Sequence, residues 1–224
     1  MAVMTAREAA ARLGVSTREV NRLVHRGALR GTKLGAATSA WLIDTRSLSE
    51  YQRIRKTSGR SWNAESSWAI LNALSGVEQR LNPVTKMRIA ERIRHSTAEE
   101  IARKTATRVK VRRFSADNRE ATTRELKLTG ASAAEKVFAD LVGRAKVVEG
   151  YVGSGDVADF IRRHLLIEDA NGDILLYDTD HEVGADVPTA VVAADLARST
   201  STRERAAGVQ VLEALRQRWI ASNT

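Results

Sequence analysis

The chain has 224 residues, 43% of them hydrophobic but only 4% aromatic, so one large domain or two ordinary ones can form around a core of Ala, Val, Leu and Ile. It holds no Cys, which excludes disulfides and thiolate metal sites, and no apolar run approaches the roughly 20 residues of a bilayer span. The net charge of +9 is unevenly placed: residues 1–60 hold 12 Lys/Arg against 4 Asp/Glu, residues 61–115 hold 11 against 5, and residues 116–224 hold 13 against 18. A basic front and an acidic back suggest a nucleic-acid-binding segment joined to a part with another task. The opening MAVMTAREAA lacks the long apolar stretch of a secretory signal, so a soluble cytoplasmic chain is expected.

Thr5 to Arg26, TAREAAARLGVSTREVNRLVHR, reads as two short helices joined by a tight turn. Thr5 with Glu8 and Ser16 with Glu19 each form the S/T-x-x-E pattern of a capping box, and Val15 with Val20 stands as a hydrophobic staple around Ser16. Gly14 falls where the first helix must stop. Two such start signals around a glycine predict a helix-turn-helix. In the second helix Val20, Leu23 and Val24 follow the spacing of a buried stripe, which places Thr17, Arg18, Asn21, Arg22 and His25 on the exposed face. Arg can bond guanine O6 and N7 bidentately, Asn can do the same with adenine, and the remaining groups can hold phosphates. His25 fits a phosphate contact or a helix C-terminal charge better than a base reader.

After Gly27, Leu29–Lys33 and Ala40–Ile43 read as two short strands around a Gly35–Ser39 turn, and Asp44 or Thr45 caps a helix through Leu48, Tyr51 and Ile54. With this hairpin and closing helix behind it, the pattern EAAARLGVSTREVNRLVHRGAL resembles the excisionase/MerR-like winged helix-turn-helix family. The resemblance covers about the first 56 residues and implies duplex DNA as the partner. The wing tip departs from the family in having no Arg, and Arg30 and Lys33 on the first strand substitute. The expected contacts are Thr17, Arg18, Asn21 and Arg22 in the major groove, with His25, Arg26, Arg30, Lys33, Arg55 and Lys56 on phosphates.

Beyond the basic segment RIRKTSGR, helices are expected over Trp62–Leu74, from Asn82-Pro83, and over Thr97–Thr105, where Thr97 and Glu100 repeat the capping pattern. Val109–Phe114 alternates as a strand. Leu126–Val142 carries a small-residue helix, ASAAEKVFADLV, and Ala145–Val152 a second strand. Ser154–Leu165 is amphipathic. Asn171-Gly172 between Leu166–Glu168 and Asp173–Tyr177 is the strongest short hairpin signal. Two helices, Thr189–Arg198 and Thr202–Ile220, close the chain. The expected fold class is α+β: a winged helix-turn-helix over residues 1–58, then a mixed α/β module over residues 62–224.

Three clusters invite a chemical reading. Gly153-Ser154-Gly155-Asp156 hints at a nucleotidyltransferase pair with Asp159, yet both carboxylates fall on a first helical turn, where capping and the helix dipole account for them. Asp169-Ala-Asn171-Gly-Asp173 starts like a calcium loop but has Ile174 where the bend needs Gly. Asp178, Asp180, His181 and Glu182 read as a solvated acidic loop. The four His, at 25, 95, 164 and 181, lack metal-ligand spacing. No catalytic residue, cofactor or metal is expected, and the chain is not read as an enzyme.

From Trp62 onward, five segments resemble the antitoxins of AbiE-type (type IV) toxin–antitoxin operons. They are Ser67-Trp68-Ala69, Arg108-Val-Lys-Val-Arg-Arg-Phe114, Leu128-Thr-Gly-Ala-Ser-Ala-Ala134, Val148-Glu-Gly-Tyr-Val152 and Val187-Pro-Thr-Ala-Val-Val-Ala-Ala-Asp-Leu196. The resemblance implies a repressor of its own operon that neutralises a nucleotidyltransferase-like toxin, with that toxin and a second copy on DNA as partners. A different winged helix is more usual in that family. The alternative is a one-component transcriptional regulator whose C-terminal module senses a small ligand.

Overall fold

The computed structural model describes residues 3–33, 41–55, 61–137, 147–153, 156–184 and 186–223. A short strand, β1 (Val3–Thr5), leads into α1 (Ala6–Leu13) and α2 (Thr17–His25). Thr5 closes a full capping box: its hydroxyl accepts the Glu8 N–H at 3.2 Å, and the Glu8 carboxylate accepts the Thr5 N–H at 2.7 Å. Ser16 supplies the first half of a box, accepting the Glu19 N–H at 3.2 Å, while the Glu19 carboxylate reaches forward to Arg22 and Arg26. Gly14 stops α1 at φ +64°, a left-handed conformation that suits a residue without Cβ.

The chain continues through β2 (Gly31–Lys33), β3 (Trp41–Asp44) and α3 (Thr45–Arg55). The three strands form one antiparallel sheet in the order β1-β3-β2, with Met4 opposite Ile43 and Thr32 opposite Leu42. β1 was not legible in the sequence, because three residues carry too little alternation. The Gly35–Ser39 turn and Lys56 lie outside the described residues. Buried Asp44 caps α3, its Oδ1 accepting the Arg46 N–H at 2.8 Å. Ala9, Val20, Leu23, Leu29, Ile43 and Leu48 make the core of this module.

The second module opens with α4 (Ala64–Leu74), α5 (Pro83–His95) and α6 (Ala98–Thr105), whose starts are capped by Asn63, Asn82 and Thr97. Then come β4 (Lys110–Ser115), α7 (Arg119–Glu125), β5 (Leu126–Leu128), β6 (Val148–Val152) and α8 (Val157–Arg163). The chain ends with β7 (Ile167–Glu168), β8 (Ile174–Asp178), α9 (Thr189–Leu196) and α10 (Thr202–Ser222). One mixed sheet runs β5-β6-β8-β4-β7, with β6 and β8 parallel and the other neighbours antiparallel. Val111, Tyr151 and Tyr177 join the cluster formed by α4, α5, α6, α9 and α10. Phe114, Val148, Ile174 and Leu176 pack with Phe160 of α8 in a separate cluster. Every residue of α9 from Ala190 to Leu196 is buried, as expected of a helix apolar on all sides but for the paired Asp195. Gly208 lets α10 approach it: a Cβ there would lie 2.6 Å from the Ala193 carbonyl oxygen and 2.5 Å from the Ala197 nitrogen.

Two expectations are corrected. Asn171-Gly172 does not turn a hairpin, since β7 and β8 lie on opposite sides of β4. The connection crosses β4, with Gly172 so close to the Phe114–Ser115 peptide that a Cβ would sit 2.0 Å from the Phe114 oxygen. Arg113 fastens the crossing by donating to the Gly172 carbonyl at 2.6 Å. The glycine serves close approach rather than a two-residue turn. The helix expected over ASAAEKVFADLV also does not open as an α-helix: after β5 (Leu126–Leu128), Gly130–Lys136 forms 3-10 turns. Residues 138–146 lie outside the described residues.

Candidate nucleic-acid interface

The stripe Val20 and Leu23 is buried against α1 and β3, with Val24 half-buried beside it, and this orients the rest of α2. Thr17, Arg18, Arg22 and His25 are exposed, and Asn21 is half-buried. Arg18 projects from the first turn of the helix. Arg22 pairs with Glu19 at 2.6 Å and Arg26 with the same carboxylate at 3.6 Å. These are exposed pairs of little worth to stability, so they hold the side chains loosely. The Asn21 Oδ1 is shielded from solvent without a hydrogen bond among the described residues. The His25 Nδ1–H donates to the Asn21 carbonyl at 2.8 Å, which turns its Nε2 outward. Its ring meets Trp41 edge-on at 5.5 Å, and Lys33 lies over the same Trp41 at 5.7 Å.

The structure separates the expected phosphate contacts. Lys33 is exposed on β2 and Arg26 is exposed just past α2. Arg30 turns inward: its side chain is 16% exposed and its Nε lies 3.5 Å from the buried Asp44. It is better described as a brace between β2 and the α3 cap. The helix containing Arg55 is present, but that side chain and all of Lys56 lie outside what is described.

Sequence reasoning missed a second basic element beside α2. Gly27, just past the helix, faces Lys110 at the start of β4. Between the two modules lies a cleft of about 550 Å³. Its lining includes His25, Arg26 and Lys33 from the first module, and Lys110, Arg112 and Arg113 from β4. Lys110 is exposed, while Arg112 pairs with Glu168 at 3.3 Å. Arg113 lies deeper: burial, and then the charge of nearby Arg30, pulls its guanidinium below the usual value. The signal available in sequence was Lys-Val-Arg-Arg itself, but alternation gave no direction for these side chains.

The C-terminal module also holds a charged pair inside. Arg108 donates to Asp195 Oδ1 at 2.6 Å, and both side chains are wholly buried. Thr129 and Tyr151 hydroxyls donate to Asp195 Oδ2 at 2.8 and 2.7 Å, and Trp68 lies 5.2 Å from the Arg108 guanidinium. Burial works to discharge Arg108, but Asp195 and Tyr151 hold it firmly protonated; burial pushes the Tyr151 hydroxyl well up. His181 stacks on Trp68 at 4.3 Å, and burial lowers its pKa.

The other sequence clusters have local explanations. Asp156 caps α8 by accepting the Ala158 N–H at 3.0 Å, and Asp159 pairs with Arg162. Asp169 accepts from Ser115 and from the Asn171 N–H, and Asp173 faces Arg119 at 3.5 Å. Among the described residues no group of three His, Asp or Glu side chains is arranged to hold a metal ion, and no helix is long and apolar enough to cross a membrane.

Residues 3–55 match the family model described as "Helix-turn-helix domain". That span coincides with the first module and ends with α3. No curated protein and no solved structure matches the chain. The first module is a helix-turn-helix domain of the excisionase-like kind, and it gives the chain a DNA-binding, transcription-regulating character.

Proposed function

We propose that the chain is a sequence-specific repressor of its own operon and the antitoxin of an AbiE-type system, neutralising a nucleotidyltransferase-like toxin encoded beside it. The helix-turn-helix supplies the DNA-binding half of this reading. One observation supports the other half. The five separated segments that resemble these antitoxins each send a residue to the same buried network: Trp68, Arg108, Thr129, Tyr151 and Asp195. Short likenesses arising by accident have no reason to meet in space. In this reading α2 enters the major groove through Thr17, Arg18, Asn21 and Arg22, a pair of copies reads two half-sites, and the C-terminal module is non-enzymatic.

The test uses the full chain and the neighbouring reading frame. Expression of the neighbour should arrest growth, and co-expression of this chain should relieve the arrest. The Arg18→Ala/Asn21→Ala variant should still relieve it while losing operator binding, because the two tasks occupy different modules. An innocuous neighbour, or an arrest this chain leaves untouched, would refute the antitoxin assignment.

A second reading, a one-component regulator, draws on a groove of about 920 Å³ in the C-terminal module, lined in part by Leu74, Ile89, Leu215 and Trp219. A metabolite that raised the melting temperature of the chain and released it from the operator would favour this reading. Leu215→Arg, which fills the groove with charge, should then abolish the response.

A further inference from the structure

We infer that β4 of the C-terminal module is part of the DNA interface, with Lys110 and Arg112 holding phosphates of the duplex strand that flanks the groove read by α2. The inference rests on the DNA-binding reading of the first module and extends it across the module boundary.

Three observations carry it. First, the cleft is continuous with α2: its wall begins at Val24, His25 and Arg26, the last turn and exit of that helix. A strand backbone leaving the α2 surface meets the cleft mouth next. Second, cations gather there from both modules. Arg26, Arg30 and Lys33 line one side, beside the His25 ring, and Lys110, Arg112 and Arg113 the other, against Glu168 and Asp178. Glu168 is 63% exposed on its pair with Arg112, so a phosphate can displace it at small cost. Third, the cations at the mouth have exposed charged ends, and those at depth do not. Lys33, Lys110 and Arg26 are exposed, whereas Arg30 is tied to Asp44 and Arg113 to the Gly172 carbonyl. Arg30 and Arg113 thus add positive potential behind the mouth while their own partners hold their side chains. The site suits a polyanion laid across the mouth.

Phosphate contacts are sequence-independent and release counterions, which gives a direct readout. Binding of full-length protein to a mixed-sequence duplex of about 30 base pairs is measured over a salt series. Lys110→Ala should lower the slope of log K against log salt by about 1, and Lys110→Ala/Arg112→Ala by about 2. Lys86→Ala, at another exposed lysine, on α5 and outside the cleft lining, should leave the slope unchanged. Each variant is checked for an unchanged melting temperature.

The outcomes separate the claims. If Arg18→Ala weakens binding while the Lys110 variants bind with the wild-type slope, the β4 contact is refuted and the helix-turn-helix reading stands. If none of these variants alters binding, the DNA-binding reading itself falls. If Lys86→Ala lowers the slope as much as Lys110→Ala, the effect is one of overall charge and the cleft has no special part. Millimolar inorganic phosphate or free nucleotide that displaced the duplex only from protein with an intact Lys110 would identify a small-anion site and overturn the assignment to DNA.

Discussion

The exposed face of α2 and the polar core of the C-terminal module use charge in opposite ways. On α2 the cations face water, and Arg22 shares one carboxylate, Glu19, with Arg26 just past the helix. Around Arg108 the charges face inward, and Asp195 is met by a guanidinium and two hydroxyls. A loosely held exposed cation can change partners at small cost, whereas a buried one is fixed by the penalty of leaving it alone. One region therefore leaves its cations free to exchange partners, and the other holds five separated stretches of chain in a single arrangement.

The comparison predicts that the two regions fail differently. Asp195→Ala strands a buried guanidinium and should cost about 3–5 kcal/mol in denaturant unfolding. A loss under about 1 kcal/mol would mean that the network does not specify the module. On α2, Arg18→Ala or Asn21→Ala should leave stability almost unchanged but cost about 1–3 kcal/mol in operator binding, with relaxed preference at one base pair. Thr5→Ala removes the α1 cap without touching either charge system and should cost about 1 kcal/mol of stability, with no direct effect on the salt dependence of DNA binding.

The smallest effect is a pH dependence. His181 has a lowered pKa in the folded chain, so the unfolded chain binds its proton more readily. Its contribution to stability is present above the ordinary imidazole pKa and is lost as pH falls through that value toward the folded one. Melting temperatures should decline over this window, and less so in His181→Asn. A parallel decline in both proteins would show that the Trp68 stack is not responsible.

Much of the first module was legible because its signals are local. Caps, Gly14 and the Val20–Leu23 stripe act within a few residues, and the structure places α1, α2 and α3 where those signals put them. Side-chain direction was legible only where a helix period fixed it. Arg30 reads as an outward strand cation, but Asp44, on another strand, holds it. The second module depends on pairings across long separations, which periodicity does not report. Asn171-Gly172 illustrates this: the same dipeptide suits a tight hairpin and a close backbone crossing, and only the position of β4 decides between them. Arg108 and Asp195 are 87 residues apart and occupy segments that read as strand start and apolar helix.

β7 is only two residues long and pairs with Phe114 and Ser115, so among the described residues the rest of β4 on that side has no neighbouring strand. An open strand edge is a template for another chain, and proteins commonly blunt such edges with short strands, charge or a covering segment. Here all three are present: β7 is brief, Lys110, Arg112 and Arg113 place cations along the gap, and the first module stands beside it. The arrangement that gathers cations at the cleft thus also guards against self-association, and a C-terminal fragment freed of the first module would keep only the charges as protection.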